Sequence, residues 1–354
     1  MKALGIIAIA IAAVLVTFAL PVKEWGTGDQ GLAPLDSVPE AATPPFPGRV
    51  WIDTDAACGH APRTDPDDCF AIALLARSSE FEIAGISTVA GNAAHDVVEA
   101  TTRALVAQLA SPVPVYSGAE ADVALTAALE RGPLTILALG PLTNLARMLE
   151  NNPALAKRVP RLVAVMGRRP GHLFHPAEGA GGGILFGHGP VFRDFNFALD
   201  PQAAARVLAL RVPMSLVPYD AARGIELTAA DLDRLESFLP WIVPRARGWL
   251  EYWRSDIGRA GFYPFDLLAA AYVLEPSGLR CTSVRAWVGK DDTLFLPWAP
   301  AALLIEPGPG DAVLYCGSAR ARADIKANLM RRLTATRPAS RAAANVRRKA
   351  SSSS

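Results

Sequence analysis

From Arg49 onward, short apolar runs alternate with longer runs in which apolar residues recur at helical spacing. "RVWID" (49–53), "EIAGISTVA" (82–90), "LTILAL" (134–139) and "RLVAVM" (161–166) read as strands. Between them, "DDCFAIALLARS" (67–78), "AHDVVEATTRALVAQLA" (94–110) and "PLTNLARMLENN" (141–152) read as helices. The first helix has Thr64 or Asp65 as its expected cap and Pro66 in its first turn. The strand runs lack strict in–out alternation, as expected of strands covered on both faces. This order predicts an α/β domain with an open, mainly parallel sheet and helices on both faces. In such sheets ligands bind beyond the carboxyl ends of the strands. Asp53 and Asp55, Asn92, Leu139 and Gly167 each follow a different predicted strand, so all fall at that end.

The flanks follow other patterns. Ala3–Val22 carries no charge and is long enough to span a bilayer as a helix. It reads as an uncleaved anchor, with a cleaved signal segment as the alternative. Lys2 and the amino terminus favour the inside, which places the domain outside the cytoplasm, anchored or exported. Residues 25–47 are rich in Gly and Pro and read as a linker, and the basic, low-complexity residues 337–354 as a disordered tail. The division expected is therefore 1–24 anchor or signal, 25–47 linker, 48–336 folded domain and 337–354 tail. With 35 basic and 34 acidic side chains, the chain lacks the strongly basic footprint of a nucleic-acid binder. None of the four cysteines sits in C-x-x-C spacing, which argues against a zinc site. Cys281 and Cys316 could close a disulfide in an oxidising compartment, buried or free thiols being the other reading.

Charge enters the picture most sharply between the first strand and the first helix. Asp53, Asp55, Asp65, Asp67 and Asp68 fall within sixteen consecutive positions. Carboxylates this close repel and raise one another's pKa values. Helix caps and a solvated loop need two acids, not five. A bound cation explains the rest, and oxygen donors without His or Cys suit calcium or magnesium. The spacing is not that of an EF-hand loop. A D-x-D phosphatase motif would want Thr or Val two residues after the second Asp, where Ala57 stands.

Six motifs in order, across about Arg49–Pro276, resemble the inosine/uridine-type nucleoside hydrolases. The paired aspartates resemble that family's D-x-D-P-G-x-D-D, with a longer loop between the pairs. "STVAGN", "LALGPLTNLA", "VAVMG", "RDFNFALDPQAA" and "YPFDLLAAAYVLEP" resemble its later motifs. The resemblance implies a calcium-dependent N-glycosidase acting on the N-ribosidic bond of a nucleoside or related riboside. It implies calcium held by Asp55, Asp68, the carbonyl of Leu139 and Asp266. Asp55 would also be the catalytic base for the attacking water. Substrate would be held by Asp67, Asn92 and Asn196 at the ribose hydroxyls, with Met166 and Asp266 beside them. Asp194 stands where the family has a Glu near the 5′-hydroxyl, and His188 where it often has Asn. Asp53 and His60 are supporting candidates.

The departures bear on the leaving base. Phe265 replaces a usual leaving-group His, and Arg168–Arg169 replace a second Gly. His60, His172, His175 and His188 are candidate substitutes for the missing acid, while His95 reads as a surface residue. Trp241, Trp249 and Trp253 recur at helical spacing and read chiefly as core, with stacking on a base as the alternative. A catalytically weak or inactive ribose- or nucleoside-binding protein, and more distantly a phosphatase-type hydrolase, are the competing functions. Partners beyond a small-molecule substrate are a membrane, through the N-terminal segment, and a second copy of the chain.

Overall fold

The computed structural model describes residues 38–335, apart from 44, 62, 168–193, 258, 291–300, 309–311 and 321. The anchor or signal segment, most of the linker and the tail lie outside these residues. Among the described residues no helix is long and apolar enough to cross a membrane.

Eleven strands are described: β1 Arg49–Thr54, β2 Glu82–Thr88, β3 Val115–Tyr116, β4 Thr135–Ala138, β5 Leu162–Ala164, β6 Met214–Leu216, β7 Leu227–Thr228, β8 Gly261–Phe262, β9 Leu279–Lys290, β10 Ala301–Pro307 and β11 Val313–Ala319. The helices are α1 Asp67–Arg77, α2 His95–Gln108, α3 Gly118–Glu130, α4 Thr143–Asn151, α5 Phe195–Leu199, α6 Pro201–Ala209, α7 Tyr219–Ala222, α8 Ala229–Leu235, α9 Val243–Tyr252, α10 Phe265–Leu274 and α11 Arg322–Thr334. Nine strands form one sheet in the order β10-β9-β11-β6-β5-β4-β1-β2-β3, and β7 pairs with β8 apart from it.

The middle of that sheet is parallel, as the alternating pattern predicts. Successive side chains of its strands feed two separate cores. Val50 and Ile52 of β1 join Leu137 and Val163 on one face, under α1 and α10. Trp51 joins Ile136, Leu162 and Ala164 on the other, under α4 and α6. Burial on both faces is why these strands read as unbroken apolar runs. Chain order reverses between β1 and β4: the chain moves outward to β2 and β3, then returns to the other side of β1. The crevice at such a reversal is where open α/β sheets bind ligands.

One edge was not foreseen from the sequence. β9 lies antiparallel to both β10 and β11, and only β11 joins the parallel part, through β6. Of the two readings open for Cys281 of β9 and Cys316 of β11, the structure has the disulfide. A second one joins Cys58 to Cys69. Before β1, the chain already lies on the domain: Glu40 bridges to Thr282, and the Ala41 amide donates to the carbonyl of Cys281.

Candidate active site

Where β1 ends, its backbone leaves Asp53 and Asp55 at the carboxyl edge of the sheet, beside the reversal. Asp53 is anchored rather than free. Its Oδ1 accepts from Ser87 Oγ at 2.5 Å and from Asn144 Nδ2 at 2.8 Å, tying β1 to β2 and to α4. Two positions on, Asp55 Oδ2 accepts from the amide of Asn92 at 2.9 Å. Gly91 is required here, because a Cβ at that position would collide with the Asp55 carboxylate. Asp55 Oδ1, fully buried, has no hydrogen-bond partner.

The N-terminus of α1 brings the second pair to the same place, where the helix dipole favours negative charge. Asp67 and Asp68 open the helix. The cap differs from expectation. Pro66 occupies the cap position without a side-chain bond, Thr64 Oγ1 instead accepts from Ala61, and Asp65 Oδ1 accepts from the Asp67 amide at 3.1 Å. Asp68 is held by Thr54 Oγ1 and by Asn92 Nδ2. Asp266, in the first turn of α10, completes the cluster, its amide donating to Asp67 Oδ2 at 2.9 Å. Carboxylate oxygens of Asp67, Asp68 and Asp266 all lie within 4.8 Å of one another.

These carboxylates are almost wholly buried, and burial is the first cause of their perturbed acidity. Burial pushes Asp68 up to about 7 and Asp53 to about 6. Asp55, Asp67 and Asp266 are also raised, by burial first and, for Asp55 and Asp266, by the neighbouring carboxylates next. Without a cation these groups cannot all be ionised at neutral pH. A divalent ion relieves both the repulsion and the unpartnered oxygen of Asp55, and the oxygen-only donor set suits calcium. The residues present therefore fit such an ion. Asp67 is the donor that the resemblance placed on the ribose instead, and the structure puts it in the tightest part of the cluster.

Asp65, Asp67 and Asp266 line one side of a cavity of about 410 Å³, while Asp55 and Asp68 are buried. Asn92, Leu139, Met166, Asp194 and Asn196 line it with them. Asn196 Nδ2 donates to the carbonyls of Leu139 (2.5 Å) and Val165 (2.9 Å), fixing the ends of β4 and β5. Asp194 is held by the Gly167 amide at 2.7 Å. The opposite wall is aromatic: Tyr219, Trp249, Trp253 and Phe265. Phe265 stacks on Tyr219 at 6.3 Å between ring centroids. Trp249 and Trp253 are thus both buried and on the cavity, where spacing alone had favoured the core; Trp241 is not, and lies under the Arg245 guanidinium.

Other candidates fall elsewhere. His60 is exposed and does not line the cavity, so a supporting role there is not borne out by its position. Asp53 supports the site from behind through Ser87 and Asn144. His95 is half-buried and bonds Thr88 rather than standing free on the surface. His172, His175 and His188 lie outside the described residues. Arg63, which sequence reading passed over, is the one cationic side chain among the described residues lining the cavity. Its guanidinium lies 4.8 Å from the Tyr252 ring centroid.

An acidic side facing an aromatic wall, at the reversal point of an open parallel sheet, defines a small-molecule site in a protein of the α/β class. Comparison with known proteins narrows the class. The family model for inosine-uridine preferring nucleoside hydrolases matches residues 50–128 and 120–296, and the chain belongs to that family. It is by that membership an N-glycosyl hydrolase. Among relatives, the pyrimidine-specific ribonucleoside hydrolase RihA of Salmonella schwarzengrund (strain CVM19633) is 25% identical over 283 residues, 68% of this chain and 83% of the relative. An uncharacterised protein of Schizosaccharomyces pombe is 27% identical over 246 residues, 57% of this chain and 71% of its own length. Among solved structures, the plant nucleoside hydrolase PpNRh1 superposes with a TM-score of 0.66 at 21% identity, over 83% of this chain and 100% of that one. The purine-preferring ribonucleoside hydrolase of Gardnerella vaginalis gives 0.65 at 16% identity, over 80% and 98%.

Proposed function

We propose that the protein hydrolyses the N-ribosidic bond of a nucleoside, with calcium held by Asp55, Asp67, Asp68, Asp266 and the carbonyl of Leu139. One observation carries the reading. The unpartnered Oδ1 of Asp55 is buried beside carboxylates of which two, Asp67 and Asp266, line a cavity that also carries an aromatic wall. A sugar with vicinal hydroxyls fits the acidic side, and a flat base fits the wall.

Calcium, when bound, supplies positive charge against the ribose hydroxyls and acidifies the attacking water. Asp55 takes the proton from that water. Asn92 and Asn196 hydrogen-bond the ribose hydroxyls, and Asp194 holds the 5′-hydroxyl. As the glycosidic bond breaks, positive charge develops on the sugar, and the carboxylates beneath the ring stabilise it. The departing base leaves along Trp249, Trp253 and Tyr219. Phe265 gives it no proton. The two disulfides support placement of the domain outside the cytoplasm, where thiols oxidise.

The test is release of free base from uridine, cytidine, inosine and adenosine, followed by chromatography, with calcium and with chelator. Asp55→Asn should lower turnover by about 10²–10⁴, the worth of a positioned base. The reading fails if purified protein with calcium releases no base from any of these and no nitrophenol from p-nitrophenyl riboside.

A further inference from the structure

The loop between the two aspartate pairs is the part of the site that family membership does not account for. It runs from Ala56 to Pro66 and has its own disulfide, Cys58–Cys69. Cys58 stands three residues after Asp55, and Cys69 directly follows Asp68. Both cysteines are buried, with Cα atoms 6.2 Å apart. The bridge therefore joins the two segments that carry the proposed calcium donors, one residue from the nearer pair.

Ala56 and Ala57 are buried, and the hydrogen bonds described within the loop are local. The Thr64 amide donates to the Ala61 carbonyl and the Ala61 amide to Thr64 Oγ1, both within the loop. Outward, Gly59 approaches α9 so closely that a Cβ would stand 2.5 Å from the Arg245 carbonyl oxygen, and Arg63 lies over Tyr252. Residues 58 and 59 both have positive φ, Cys58 at 26° and Gly59 at 68°, a conformation that a free chain seldom adopts at a non-glycine residue. Several carboxylates must nonetheless stay together before any cation arrives, against their mutual repulsion.

We propose that the Cys58–Cys69 disulfide is a positioning element of the metal site. It holds the end of β1 and the start of α1 at binding separation, so that calcium does not have to order the loop as it binds. The proposal rests on the calcium reading above. Its size is bounded by loop closure. A bridge closing a loop of 11 residues is worth at most about a hundredfold in an equilibrium constant. Part of that order is supplied by Gly59 and Arg63, so the expected loss of calcium affinity without the bridge is about tenfold.

The molecule contains its own control. Cys281–Cys316 joins β9 to β11 and touches no proposed donor. The experiment compares wild type, the double variant Cys58→Ala/Cys69→Ala and the double variant Cys281→Ala/Cys316→Ala. Each is folded in saturating calcium, and its affinity is read by competition with a calibrated chelator. Melting temperature is measured alongside. The expected result is calcium binding about tenfold weaker in the first variant and within twofold of wild type in the second, although both melt earlier. Equal affinity in wild type and the first variant would overturn the proposal. So would failure of the first variant to fold in saturating calcium while the second folds, since the bridge would then be structural. Absence of calcium binding by wild type would instead sink the underlying calcium reading.

Discussion

Removing calcium should invert the usual dependence of this domain's stability on pH. Most proteins lose stability on acidification because native carboxylates are ionised and paired. Here the buried acids are held above their ordinary value of 3.8, Asp53 at about 6 and Asp68 at about 7, by burial. Between the unfolded and folded values the native state binds more protons than the unfolded chain, so stability falls as pH rises. The window runs from about pH 4 to about pH 7. The gap corresponds to about 3 kcal/mol for Asp53 and about 4 kcal/mol for Asp68. The two do not simply add, since their neighbours titrate with them. Partly exposed groups such as Glu80 and Asp231, lowered in the fold, pull the other way through ion pairs worth less. A net loss of about 3–5 kcal/mol from pH 4.5 to 7.5 is the expectation for chelated protein. With calcium at a thousand times its dissociation constant, about 4 kcal/mol returns at neutral pH, or roughly 5–8 °C in a domain of this size. Calcium should also restore the ordinary direction, because protons then compete with the ion. Urea unfolding at stepped pH, with chelator and with calcium, measures both slopes. Chelated stability that stays level or rises from pH 4.5 to 7.5 would refute this account of the acid cluster.

Three further outcomes are expected. With Phe265 unable to donate, nucleosides should turn over slowly and p-nitrophenyl riboside faster by about 10²–10⁴ in kcat/KM, since nitrophenolate departs unprotonated; a ratio near one in steady-state assays would reveal another acid. Gly91→Ala should push the Asp55 carboxylate aside and weaken calcium binding by tenfold or more, read by calorimetry, while far-ultraviolet dichroism stays unchanged; unaltered binding would remove Asp55 from the donor set. On the proposed placement outside the cytoplasm, protease added to intact spheroplasts should digest the domain, and protection would contradict that orientation.

The parallel half of the fold was legible because each of its strands is buried on two faces, and such runs stand out in sequence. The β9–β10–β11 edge was not. "LRCTSVRAWVGK" mixes exposed Arg285 and Lys290 with buried Cys281 and Val284, a pattern that names no partner strand. The acids at the site were legible for the opposite reason: five carboxyls in a short span have no cheap structural use. What sequence could not supply was which of them converge. Asp266 lies almost 200 residues from Asp67, and only the packing of α10 on α1 brings them together. Cys58 and Cys69 likewise meet only because the strand-to-helix turn folds back. Trp249 and Trp253 illustrate a different limit, since helical spacing says that a face is covered but not whether protein or ligand covers it.

The first and last described segments are held at different points of the domain. The antiparallel register of β9 puts Cys281 and Thr282, and with them Glu40 and Ala41, at the sheet end where the cavity opens. Residues Leu333 and Ala335 are instead bound by Arg77 at the far end of α1, about 15 Å along that helix from the acid cluster. An attachment next to Ala335 would therefore stand about a helix length from the acid cluster.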